Sequence, residues 1–320
     1  MTNIRSAILS AVFSVAAAAS AQALNSRTWI SGAGTDQAGC GPIATPCRTL
    51  QYAHDNTTAG GEIDVKDAAG YGSLTITKAI NVVNDGVGVA GVLAASGQNA
   101  ITINAGLTDD VVLRGLTIEG SKLGANGVVF NQAGSLNIAN CVVQNFTGND
   151  NTHGNGILIQ HTAGTPNVVV TNTNVSNNDY IGFSIIPGGS GGGIFALDRL
   201  VATKNKLGFA MYTRNTSGVL TESVSNSIAA NNVVTGFQII GSTTFLDNVS
   251  AYQNADGIYV ECQSAACFTL VGINRSVSAN NTKYDLETVG NIMTIESYSN
   301  NAINSFHMEY PARLAHATPF

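Results

Sequence analysis

The chain has 320 residues, a hydrophobic share of 44% and a formal net charge of −6. So high a hydrophobic share excludes a disordered chain. An acidic chain without basic tracts and interleaved aromatics is excluded as a nucleic-acid binder. Charged residues make up 11% and Gly contributes 35, so the sequence favours short strands bounded by Gly and Asn over helices.

Residues 1–23 read as an export signal: Arg5 gives the basic start, Ala7 to Ala19 the apolar stretch, and Ala21-Gln22-Ala23 the small-residue cleavage site. No other apolar run is long enough to span a bilayer. The expected destination is therefore the periplasm, the cell surface or the medium. Residues 24–60 read as an entry segment and cap. Cys40 and Cys47 flank a Gly/Pro-rich loop, and Cys262 and Cys267 flank Gln-Ser-Ala-Ala further on. Each pair suits a local disulfide in an oxidising compartment. A zinc site fits less well, because neither pair has tight C-x-x-C spacing and no His accompanies them. Cys141, in an apolar strand-like run, reads as a buried thiol. Thr45-Pro46 followed by CRTLQYAHD predicts a short helix, with Thr45 as N-cap and Pro46 at the first helical position. That helix is placed to plug the first coil of whatever follows.

Residues 61–305 repeat. A phrase of one apolar residue, two small ones and Asn recurs at Leu116, Val142, Val175, Val201, Ile228, Val249, Val277 and Tyr298. The steps run from 21 to 33 residues. Between these phrases a Gly leads alternating apolar residues at Gly127, Gly156, Gly182, Gly208, Gly236 and Gly257. No repeat has a helical period, and a propeller blade would need roughly 40–45 residues. Short coils of two or three strands predict an all-β parallel β-helix, each strand pairing with coils above and below. The residues after each Gly (Val128, Ile157, Phe183, Phe209, Phe237, Ile258) form one interior column. Those two positions later (Phe130, Ile159, Ile185, Met211, Ile239, Val260) form a second. The mixed column between them (Val129, Leu158, Ser184, Ala210, Gln238, Tyr259) is expected to face outward. In Val277-Ser278-Ala279-Asn280-Asn281, Val277 is expected to close the core and Asn280 or Asn281 to turn the chain. Asn177, Asn205, Asn231, Asn254, Asn280 and Asn300 would then hydrogen-bond along the stack. The pattern fades over residues 306–320.

The entry run TPCRTLQYA…AGGEIDV…GYGSLTITK resembles the start of right-handed parallel β-helix proteins of the pectin-lyase-like superfamily. Pro46, Thr49, Leu50, Gln51, Ala53, Gly61, Ile63, Val65, Gly70, Tyr71, Ile76 and Lys78 carry the likeness. More narrowly, the chain looks like small exported bacterial members with a C…PC-[RK]-T start. The resemblance spans roughly residues 27–305 and implies a right-handed solenoid that interacts with polysaccharide. It also suggests reactions to look for, namely uronan lyase, with Ca²⁺ as a companion, or glycoside hydrolase. The clustered Asp residues with G-H-G of the hydrolases, the Q-D element of the esterases and a clear calcium-and-base set of the lyases are all missing here.

Within a chain poor in cations, Arg199, Lys204, Lys206 and Arg214 fall close together, with Asp198 the acid among them. Arg199, Lys204 and Arg214 are the candidate groups for binding a sugar carboxylate or serving as a lyase base; solvated surface charge is the plainer reading. Arg114, Arg199, Asp247, Arg275 and Glu296 share a repeat position, so Asp247, Arg275 and Glu296 could stack as a surface ion-pair ladder. His153 and His161, with Asp150 and Asp179 nearby, form a further candidate for hydrolysis or metal binding, against loop and surface histidines. Gly86 to Gly91 matches G-x-G-x-x-G but precedes Ser-Gly-Gln-Asn-Ala-Ile-Thr-Ile instead of a helix, so it reads as a turn. Pro187 to Gly193 reads as a flexible loop. The rival functional class is a non-catalytic surface, adhesive or structural solenoid.

Overall fold

A computed structural model describes residues 24–317 except 151, 214–215, 263–267, 291–292, 299 and 309–312. The signal peptide expected at 1–23 lies outside the described residues, as do Arg214 and Cys267.

The strands stack in parallel into three ladders around one core. The first passes through Thr57–Val65, Ile80–Val83, Asp110–Arg114 and Ser135–Ala139 and runs on to Arg313–Ala317. The second passes through Ala90–Leu93, Leu116–Glu119 and Val142–Gln144 to Ala302–Ile303. Asn167–Ser176 and Gly193–Thr203 serve both ladders, bending where Asn172 and Arg199 take φ of +46° and +55°. The third holds ten strands, from Leu74–Ile76 to Phe306–Met308. The result is a right-handed parallel β-helix, the hand that parallel crossovers take.

The interior columns of the third ladder stand as the sequence predicts. Val128, Ile157, Phe183, Phe209, Phe237 and Ile258 pair in register and are buried. Phe209 and Phe237 stack with centroids 4.8 Å apart and planes within 7°. The column between them faces out but is not uniformly exposed. Val129, Leu158, Ser184 and Ala210 are buried, and the half-buried residues of the column begin at Gln238 and Tyr259. Ala210 lies in a small outer apolar cluster with Ile181 and Leu207, flanked by Tyr180, Tyr212 and Val234.

The Asn-ended phrase reads differently in three dimensions. Where the phrase reads Val201, Ile228 and Val277 its apolar member lies outward, Val277 being 44% exposed, and the small residue behind it (Ala202, Ala229, Ser278) faces the core, whereas Leu116, Val175 and Val249 are buried. The reason is the amide beside it. Asn178, Asn205, Asn232 and Asn254 are buried, each donating through Nδ2 to the amide oxygen of the next coil, ending on Asn281. Their Nδ2 groups sit against the recurring glycines: a Cβ on Gly208 would lie 3.0 Å from Asn232 Nδ2 and 2.5 Å from the Gly236 carbonyl. Small residues and Gly therefore recur because the ladder leaves no room for more. The other Asn of each phrase is the corner. Asn145, Asn177, Lys204, Asn231, Gln253 and Asn280 all have φ between +56° and +65°, and Asn177 donates to Asn145. The expected single stack thus divides into an outer corner column and an inner ladder.

At the entrance, Asn25–Ile30 pairs in parallel with Thr57–Val65. The cap helix spans Leu50–Asp55, and its N-cap is Thr49, not Thr45. Asp36 accepts the backbone N–H groups of Arg48 and Thr49 at 2.7 and 3.0 Å, holding the chain extended until that point. Leu50, Ala53 and His54 are buried beneath it. Cys40 and Cys47 form the predicted disulfide. Cys262 is disulfide-bonded, and Cys141 is a free, buried thiol. The Gly-rich stretch at 187–193 is not loose. Gly188 and Ser190 donate to His161 and Thr162 on one side, and Ser217 donates to Gly189 on the other. Gly86 and Gly88 take φ of +89° and +108° in a turn before the strand Ala90–Leu93.

Candidate functional site

The inner ladder stops at Asn178. Phe146 stands before Asn178 where the next coils carry Asn; it is buried, and its N–H donates to Asn178 Oδ1 at 3.2 Å. The chain then makes an excursion from Thr147 to Asn155 over the corner between the second and third ladders. Charged side chains pin it there. Thr147 Oγ1 donates to Asp179 at 2.8 Å, Lys122 Nζ donates to Asp179 at 2.7 Å, and Lys206 Nζ donates to Asn149 at 2.8 Å. The Lys206 ammonium also sits 4.8 Å from the centre of the Tyr180 ring. Thr147, Gly148, Asn149, Asp179, Lys206 and Val233 line a groove of about 580 Å³. Lys122 and the hydrogen bond from Thr147 hold the Asp179 carboxyl below its ordinary range, against the burial that opposes them. The groove thus presents a fixed carboxylate, an ammonium, a hydroxyl and an amide.

On the other side of the excursion, His153 joins Gln98, Asn99, Asn126 and Gln160 around a polar recess of about 220 Å³. His153 Nδ1 lies 3.1 Å from Asp150 Oδ1, and that carboxylate is held well down by hydrogen bonds from Thr152 and His153. A carboxylate that orients an imidazole is a general-base arrangement. His161, its expected companion, points inward instead. It is buried between Phe130 and Phe195, with Nε2 2.6 Å from the Gly192 carbonyl, and burial lowers its pKa.

The basic run does not gather. Arg199 turns the corner between the first and second ladders and pairs with Asp198 at 2.6 Å. Lys204 turns the next corner, up to about 16 Å further along an extended chain. Of the described members, Lys206 alone lines the groove. The proposed ion-pair ladder reduces to Asp247 and Arg275, joined through Arg275 Nε at 3.0 Å. Glu296 registers with Gly272, and Arg114 pairs with Asp85. The left-handed corner residue shifts the register that simple alignment assumed. Lys122, Asn149 and Tyr180 were not singled out from sequence. The sequence signal for this region is the longest step of the repeat, the 33 residues between Val142 and Val175. Among the described residues no three His, Cys, Asp or Glu side chains assemble to hold a metal ion such as calcium.

No family model and no curated protein sequence matches the chain. Solved structures match in fold. The A-module of the Azotobacter vinelandii mannuronan C-5 epimerase AlgE4 aligns at 15% identity and a TM-score of 0.52, covering 81% of this chain and 91% of that one. An alginate lyase from Paenibacillus sp. strain FPU-7 aligns at 15% identity and 0.52, covering 85% and 96%. The pectate lyase Pel9A aligns at 14% identity and 0.52, covering 91% and 82%. At these identities the likeness is one of fold.

Proposed function

We propose that this protein binds a polysaccharide along the outer face of the third ladder and grips it in the groove beside the Thr147–Asn155 excursion. The observation that carries this is the groove itself, where Asp179, Lys206 and Asn149 offer the charged and hydrogen-bonding contacts that a sugar uses, with the Tyr180 ring 4.8 Å from the Lys206 ammonium. Tyr212, Gln238 and Tyr259 extend the same outward face over successive coils. The names of the fold neighbours, enzymes of mannuronan, alginate and pectate, support the substrate class. The carboxylate-binding role considered for Arg199, Lys204 and Arg214 is best met by Lys206, with Arg214 retained on sequence grounds. Cleavage, by elimination or hydrolysis, would draw its base from His153 and Asp150. Export is part of the same reading, supported by the Cys40–Cys47 disulfide and the residues 1–23.

Affinity electrophoresis through gels containing alginate, polygalacturonate or a neutral glucan tests this. Retardation by at least one polymer is expected, weakened about tenfold by Lys206→Ala. Free migration in every gel, or identical retardation of the variant, overturns it. The second reading is a binding protein without catalysis, favoured by the use of Arg199 and Lys204 as corners. Retained binding with no unsaturated or reducing ends released selects it.

A further inference from the structure

Near the C-terminal end of the third ladder, the outer face holds another cluster, which begins in the coil after the one whose Val233 lines the groove. Asp256 registers with Tyr284, and Tyr259 with Glu287 and then His307, so the group spans three successive strands. Lys283 Nζ lies 3.0 and 3.1 Å from the two Glu287 oxygens and 3.7 Å from Asp256 Oδ2. It also sits 5.1 Å from the centre of the Tyr284 ring, which stacks on His307 with centroids 4.5 Å apart. The Asp256 and Glu287 side chains are 7% and 8% exposed, whereas Lys283 is 52% exposed. Asp256 Oδ1 is enclosed and has no hydrogen-bond partner among the described residues. Burial, and then the neighbouring Glu287, raise the Asp256 pKa.

Two enclosed carboxylates and an aromatic face around one ammonium make a receptor for a primary amine. One oxygen of that receptor is unused, and its present occupant is a flexible, half-exposed side chain of the same molecule. We propose that this crevice is a second carbohydrate site, selective for a sugar bearing a protonated amine, with Lys283 holding the ammonium position until such a sugar displaces it. One face of Tyr284 is stacked on His307, and the face that Lys283 now covers opens to the sugar ring when Lys283 is displaced. Tyr259 and Gln238, in the same outward row, continue it toward the groove. A ring face beside the ammonium position favours an amino sugar over a lysine side chain of a protein partner.

Calorimetry on the full chain tests this with a short glucosamine oligosaccharide, its N-acetylated counterpart and a lysine-rich peptide. The glucosamine oligomer is expected to bind about tenfold tighter than the acetylated one. Lys283→Met should strengthen that binding several-fold, and Glu287→Gln should erase the preference. Asp256→Asn, with its melting curve recorded, serves if Glu287→Gln does not fold. Lys206→Ala should leave the preference intact, which separates this site from the groove. Equal affinity for the two oligosaccharides overturns the proposal. So do tighter binding of the peptide, no gain in Lys283→Met, or loss of the preference in Lys206→Ala.

Discussion

The coils from Asn178 to Asn281 and the coil that carries Phe146 are built on the same backbone path but use its inner corner differently. In the former, every buried amide both accepts from the coil before and donates to the coil after, as Asn232 does with Asn205 and Asn254. In the latter, a phenyl ring fills the corner, close enough that a Cβ on Gly120 would lie 2.7 Å from it. Amide pairing needs an equivalent atom in each coil and so constrains every coil that takes part. Phe146 fills space without that demand, and the chain uses the freedom to make the Thr147–Asn155 excursion. The groove therefore arises where the ladder lapses.

The comparison can be tested from both sides. Phe146→Ala should cost about 4 kcal/mol, seen as a lower urea midpoint, and should weaken glycan binding with it because the excursion loses its anchor. Asn232→Leu should cost about 3 kcal/mol, since the Asn205 backbone N–H and the Ala202 carbonyl lose the Asn232 amide. A cost for Asn232→Leu below that of a surface change would show that the ladder is ornamental.

Glu222 is a third kind of interior polar residue. It stands in register between Phe195 and Thr244, accepting from Thr244 Oγ1 at 2.6 Å, while Oε1 has no hydrogen-bond partner among the described residues. Burial pushes its pKa from 4.5 up to about 7. The folded state therefore favours the protonated form. Its stabilisation is complete below the unfolded value and is lost as pH rises from 4.5 to about 7. Wild type should lose about 3 kcal/mol over that window relative to Glu222→Gln, checked by urea midpoints across it. Parallel pH profiles for the two proteins would contradict the assignment. The smallest effect is expected at a corner: Lys204→Asn, at φ +57°, should gain about 0.5 kcal/mol because Asn tolerates the left-handed region better.

Much of this architecture was legible in the chain. Gly and alternating apolar residues placed Phe183, Phe209 and Phe237 on one interior column because strand periodicity is local and strict. The phrase ending in Asn identified corners for the same reason. What the sequence could not carry was depth. Whether Val277 or Ser278 faces the core depends on an amide of the same coil and the glycine it packs on, which pattern matching along one strand does not see. The basic run misled because proximity in sequence was taken for proximity in space, whereas a bend at Arg199 and another at Lys204 point the two apart. Lys122 and Asp179 are 57 residues apart, and their contact at 2.7 Å follows from coil stacking alone.

The amide ladders also have a direction. Asn155 donates to Asn126 and Asn126 to Asn99, toward the N-terminus. Asn178 donates to Asn205 and so on to Asn281, toward the C-terminus. The two runs occupy neighbouring columns and point away from each other, and where they part Asn155 Oδ1 is enclosed without a hydrogen-bond partner among the described residues. In the language of crystals this is a grain boundary between two domains of opposite polarity. Cooperativity that passes from coil to coil through aligned amides should weaken there. The solenoid would then melt as two blocks, and the seam between them falls at the excursion that builds the groove.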